Sequence, residues 1–182
     1  MNLVKCVILL VSGLALSACS ENVEDGATVV TGDTAATGAS DASGGATLWN
    51  GGQAKPVSIQ VAHPNGVVLQ VTSLQSRQTD TAVGVRVING RDREIDLNRF
   101  PNNRNGFLLL ESGERLFLSP PPTNARLTVP AGQTFEGELV FLGRLPDVRT
   151  GVMVLNEQSS VDNESSTTPG FRIDLPLTET VQ

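Results

Sequence analysis

From Lys55 onward, apolar residues recur at every second position in short runs separated by Gly, Pro, Asn and Asp, the signature of strands joined by turns. Val57-Ser58-Ile59-Gln60-Val61 alternates cleanly, and His63-Pro64-Asn65-Gly66 turns the chain. Val67 to Leu74 is the next strand, with Val67, Leu69 and Val71 on one face. In Thr81 to Ile88, Val83, Val85 and Val87 face one side, and Gly84 and Arg86 the other. Asn89-Gly90 then predicts a tight turn, because both residue types tolerate positive φ. Glu94 to Asn98 reads as a short strand, followed by a polar loop from Pro101 to Gly106.

The second half continues the pattern. Phe107 to Leu110 and Arg115 to Leu118 flank Glu111-Ser112-Gly113-Glu114, the clearest hairpin in the chain. Pro120-Pro121-Pro122 brings no backbone donors and ends that strand. Arg126 to Val129, Thr134 to Leu142, Val148 to Leu155 and Phe171 to Leu175 complete the set, with a polar stretch from Asn156 to Gly170 before the last. In Thr134 to Leu142, Phe135, Leu139 and Phe141 share a face with Gly137, while Glu136 and Glu138 point away. No window keeps a helical apolar spacing long enough to make a helix. About nine strands in residues 55–182 is the density of a sandwich of two antiparallel sheets, with a closed barrel as the alternative. A domain of this size buries roughly two-thirds of its unfolded surface, enough for one core.

The paired turns Asn89-Gly90 and Glu111-Ser112-Gly113-Glu114 carry a family resemblance, as does Leu127-Thr128-Val129-Pro130-Ala131-Gly132 leading to Gly137-Glu138-Leu139-Val140-Phe141. Over roughly Gly66 to Leu177 the chain resembles the telokin-like, immunoglobulin-like domains of bacterial lipoproteins of unknown function. That resemblance implies an all-β, immunoglobulin-like antiparallel β-sandwich. The inter-sheet cysteines and core tryptophan of antibody domains are absent.

Upstream the pattern is different. Residues 1–18 hold one positive charge at Lys5, an apolar run from Cys6 to Leu16 and then small residues, the layout of a secretory signal peptide. The run is shorter than the ~20 apolar residues of a bilayer-spanning helix. Leu16-Ser17-Ala18-Cys19 resembles the lipobox of bacterial lipoproteins. The resemblance implies cleavage before Cys19, a diacylglyceryl group on its thiol and an N-acyl, palmitate-type chain on its amine. Several chains on one residue make a durable anchor, at about 0.8 kcal/mol per buried methylene. The plainer alternative is an ordinary signal peptide cut after Ala18, with Cys19 a bystander. Ser20, rather than Asp, implies release to the outer membrane in envelopes like those of enteric bacteria; inner-membrane retention or the single membrane of a Gram-positive cell stays open.

From Ser20 to about Gly52 the chain is dominated by Gly, Ala, Ser, Thr and Asp, a composition that buries too little to offset its ordering entropy. Residues 19–54 are therefore expected to form a disordered acidic linker. As a flexible coil of about 34 residues it would span roughly 30 to 35 Å. Trp49, the only tryptophan, reads either as a partner-binding aromatic or as a residue packed on the domain's outside at the linker's end.

Composition narrows the chemistry. Cys6 leaves with the leader and Cys19 is taken by lipid, so the mature chain has no thiol for a disulfide, a nucleophile or a metal. Residues 19–54 carry Glu21, Glu24, Asp25, Asp33 and Asp41 and no basic residue, whereas residues 55–182 hold 14 acidic and 12 basic residues, all arginine except Lys55. A folded part so near neutrality argues against nucleic acid as a partner. His63, the only histidine, would have to carry a Ser-His-Asp hydrolase alone, and no Gly-x-Ser-x-Gly elbow supplies the serine; it reads as a surface turn residue.

Asp92, Glu94, Asp96 and Asn98 recur at every second position and would line one face of a strand. Calcium needs oxygens converging from loops, and alternate side chains on a strand are about 6.5 to 7 Å apart. With Arg91, Arg93 and Arg99 nearby, the set reads as a charge-protected edge strand, and as a metal site only in second place. Asp162 to Thr168 reads as a mobile surface loop, with a cation site or recognition loop as the alternative. No catalytic residue, metal or small-molecule cofactor is assigned. The expectation is a lipid-anchored, non-enzymatic binding or accessory module that engages an envelope protein. The alternatives are a structural subunit of an outer-membrane assembly and then a carboxylate-based enzyme or calcium-binding module.

Overall fold

The computed structural model describes residues 47–178. The leader, the lipobox Leu16, Ser17, Ala18 and Cys19, and the linker through residue 46 lie outside the described residues. Ten strands follow in order: β1 Lys55–Ala62, β2 Val67–Ser76, β3 Asp80–Asn89, β4 Ile95–Asp96, β5 Phe107–Leu110, β6 Arg115–Ser119, β7 Thr128–Val129, β8 Thr134–Leu142, β9 Thr150–Leu155 and β10 Phe171–Pro176. The fold is all-β, an antiparallel sandwich. No helix among the described residues is long and apolar enough to cross a membrane.

Eight strands are linked in the order β1-β2-β3-β8-β6-β5-β9-β10, and β4 pairs with β7 as a separate ribbon. Strand β6 is shared between layers: its Arg115 to Phe117 pair with β5, while Leu118 and Ser119 pair with Phe141 and Val140 of β8. The hydrogen-bonded ribbon thus folds over at β6 into two layers, β1-β2-β3-β8 and β6-β5-β9-β10. Among the described residues the outer strands β1 and β10 do not pair with each other, so the arrangement is an open sandwich and not a closed barrel.

The alternation read from the sequence fills the core. Val67, Leu69, Val71, Val83, Val85, Val87, Leu139 and Phe141 from one layer meet Leu108, Leu110, Leu116, Met153, Leu155, Phe171 and Ile173 from the other in a single apolar cluster. Leu74 breaks the period of β2 yet is buried, because the register shifts between Val71 and Ser73 and turns the strand's later residues over. That bulge brings Ser73 Oγ, and Thr72 Oγ1 at 2.8 Å, against the place where a Cβ on Gly84 would stand. Gly84 leaves the bulge room.

One turn departs from expectation. Asn89 and Gly90 are not among the positive-φ residues. Asn89 is buried, and its carboxamide nitrogen shares its two hydrogens among the carbonyls of Arg93 at 2.9 Å, Val129 at 3.0 Å and Pro130 at 2.9 Å, fastening the end of β3 to β7. Gly90 is required by a close approach, since a Cβ there would lie 2.8 Å from the Gly66 carbonyl oxygen.

The start of the folded domain also moves back from Lys55. Trp49 is 2 % exposed and belongs to the core, neither a free aromatic nor a residue on the outside. Its backbone N–H donates to Leu145 O at 3.0 Å, its indole Nε1 donates to Leu177 O at 2.7 Å, and Leu48 bridges Pro146. Asn50, Gly51 and Gly52 then all adopt positive φ, reversing the chain into β1. The residues whose composition suggests a linker are the ones able to make this reversal. Trp49→Ala should therefore destabilise the domain by about 3 to 5 kcal/mol in urea denaturation followed by circular dichroism. A change within about 0.5 kcal/mol, the range of ordinary surface substitutions, would show that the ring does not serve the core.

Candidate functional site

Two of the residues singled out by their chemistry, His63 and Asn98, are buried in contacts that hold loops together. His63 is buried, not at the surface. Its Nδ1 accepts from the backbone N–H of Asn65 at 3.1 Å, which leaves Nε2 to donate to Ser160 O at 3.3 Å, and its ring lies 5.6 Å from that of Phe171. Nδ1 shapes the β1–β2 turn from within, and Nε2 holds that turn to the loop after Asn156.

Asp92, Glu94, Asp96 and Asn98 are not brought together. Residues 91–93 bend instead of extending, and β4 is only two residues long. The Asp92 side chain is 85 % exposed beside Arg93, whereas that of Asp96 is 15 % exposed, accepting from Thr128 Oγ1 at 2.6 Å and facing Arg126 Nε at 3.5 Å. Asn98 is buried and donates to Ala125 O at 2.8 Å. Nor is the strand a bare edge: β7 pairs on one side, and Asp96 N donates to Thr167 O at 2.9 Å. Among the described residues no three His, Cys, Asp or Glu side chains converge as a metal site would need.

The loop from Asn156 to Gly170 is tied down. Arg91 lays its guanidinium across three successive carbonyls, with Nη1 donating to Glu164 O at 3.0 Å and Ser166 O at 2.8 Å and Nη2 to Ser165 O at 3.4 Å. Asn65 Nδ2 also donates to Ser166 O, at 2.9 Å. Asn156, buried with positive φ, donates to Asp96 O at 2.8 Å and Pro169 O at 2.9 Å. The cation that this loop's carbonyls receive is Arg91 itself.

A cavity of about 560 Å³ opens beside Trp49, lined by Leu48, Lys55, Asp147, Val148, Arg149 and Leu177, with Lys55 Nζ 5.8 Å from the indole centroid. A smaller hollow of about 90 Å³ lies between Arg99, Phe100, Asn105, Asn156, Gln158 and Ser159.

The most distinctive surface is one the alternation alone did not reveal. Across the layer β6-β5-β9-β10, register places Phe117, Phe107, Val154 and Arg172 in one row on the side away from the core. The next row holds Arg115, Leu109, Val152 and Asp174. Phe107 and Phe117 meet edge to face with centroids 6.2 Å apart. Arg115 lies over the Phe107 ring at 4.3 Å and Arg104 over Phe117 at 4.9 Å. Arg104 is placed there by a positive φ at the end of the short turn Pro101–Asn103. Phe107 and Val154 are each 1 % exposed although neither belongs to the core cluster.

The other layer's outward face is different. Its arginines pair within the domain: Arg86 with Glu136 at 2.9 Å, and Arg77 with Glu138 at 2.9 Å and Asp80 at 3.6 Å. The hydrogen bond to Glu138 raises the Arg77 pKa further above its ordinary value. Signals for the arginine–aromatic face existed in the sequence, since Phe107, Leu109, Phe117, Val152 and Val154 occupy the wrong phase of otherwise alternating strands.

Comparison with protein-family models, with curated proteins and with solved structures finds no match for this chain.

Removing the Arg91 cradle has a local readout. Arg91→Met should speed amide exchange at Asp96, whose N–H donates to the tethered loop, roughly ten- to hundredfold, the scale of losing charged hydrogen bonds. Arg91→Lys should restore little, because one ammonium cannot reproduce the planar fork. Unchanged exchange in Arg91→Met would refute the tether.

Proposed function

We propose that this chain is a lipid-anchored lipoprotein of the cell envelope, of the lipobox type, acylated on Cys19 and directed to the outer membrane. Its telokin-like, immunoglobulin-like sandwich acts as a non-enzymatic binding or accessory module for an envelope protein, and the acidic segment after Cys19 is its tether. The anchor is supported by Leu16-Ser17-Ala18-Cys19 following a charged and then apolar leader. The observation that carries the binding reading is the arginine–aromatic face, because aromatic and arginine side chains are the residues that dominate protein interfaces. A binding role also suits a histidine whose two nitrogens are both committed to holding loops.

Intact-mass measurement on protein extracted from native membranes should find a chain starting at Cys19 with the added mass of a diacylglyceryl group and an N-acyl chain. Cys19→Ala should leave the leader uncut and the lipid absent. A mature chain with a free Cys19 thiol in the aqueous fraction would overturn the anchor.

A further inference from the structure

We infer that the outward side of the layer β6-β5-β9-β10 docks an acidic protein segment, with Arg104, Arg115 and Arg172 taking its carboxylates and the half-buried Leu109, Phe117 and Val152 its apolar side chains. This inference rests on the binding-module reading above and names the chemistry of the partner. A sheet with one face in a core ordinarily presents polar residues on the other. Here two cross-strand rows place five apolar side chains on the outward side, Phe107 and Val154 buried there and Leu109, Phe117 and Val152 half-buried, with guanidinium groups over the two rings.

Charge decides what this face can hold. On the opposite layer the arginines are matched by Glu136, Glu138 and Asp80. Arg104 and Arg172 make no ion pair among the described residues, and Arg115 shares only Glu157, at 3.2 Å. A planar guanidinium donates two parallel hydrogen bonds to a carboxylate along its edge, and it can do so while its face stays on an aromatic ring. The same face carries Glu157 and Asp174 among the arginines. A continuous anionic surface such as lipid headgroups would press like charge against both. A peptide can set its acidic residues over the arginines and leave those two positions clear, so the surface suits a protein segment and not a membrane.

The test keeps the acylated full chain in native membranes and places p-benzoylphenylalanine either at Phe117 or, on the outward side of the other layer, at Gln70. Irradiation should give a protein adduct from position 117 and none from position 70. Mass spectrometry should map the attachment to a segment richer in Asp and Glu than in Lys and Arg. Arg104→Glu combined with Arg172→Glu should cut the adduct by about tenfold or more, the scale of reversing interface arginines. Arg172→Gln, on an exposed position, should reduce it by a smaller factor and carries the comparison if the double reversal does not fold. A lipid adduct, attachment to a basic segment, or a yield that ignores charge reversal would overturn the inference. Adducts from position 70 alone would overturn this face and leave the binding module standing, and no adduct from either position would count against the binding module itself.

Discussion

Strand β6 belongs to two layers at once. Its first residues complete a ladder with β5 and its last two, Leu118 and Ser119, complete one with β8. From Ser20 onward the chain has no cysteine, so no disulfide joins the layers. They are held by this shared strand along one side and by the apolar contact of their inner faces everywhere else. Along the open side the N-terminal strap makes a comparable link, because Trp49 ties the segment entering β1 to Leu145 and to Leu177, just past the end of β10. The domain's two ends are thereby fixed to one another through a single indole.

Loops in this protein are organised by buried carboxamides. Asn65, Asn89, Asn98 and Asn156 are all buried, and each donates to a backbone carbonyl. Asparagine supplies two donors and an acceptor on a short stem, so one side chain satisfies several main-chain groups that a loop cannot pair by itself. His63 and Arg91 extend the same scheme. The consequence is that the polar residues with the most chemical potential are spent on order. The long stretch after Asn156 is pinned from three directions, by His63, Asn65 and Arg91.

Arginine serves a second purpose on the layers themselves. Residues 55–182 are close to neutral in sum, yet the charges are sorted by layer. Arginines on one side neutralise neighbouring glutamates, and two on the other, Arg104 and Arg115, lie over phenylalanine rings. A neutral total therefore conceals one surface that is electrostatically quiet and another whose cations are answered chiefly by aromatic faces.

Strand positions, the inward phase of most strands and the hairpin at Ser112-Gly113 were legible in the chain, because side chains alternate strictly along an extended backbone and burial leaves its trace at every second residue. What lay beyond the sequence was set by contacts between distant segments. The Thr72 bulge that turns Leu74 inward, the burial of Trp49, and the separation of Asp92 from Asp96 each depend on partners many residues away. The same holds for the arginine–aromatic face, which exists only because pairing sets Phe117, Phe107 and Val154 side by side. Periodicity records which way a residue points; only the register of pairing decides what stands next to it.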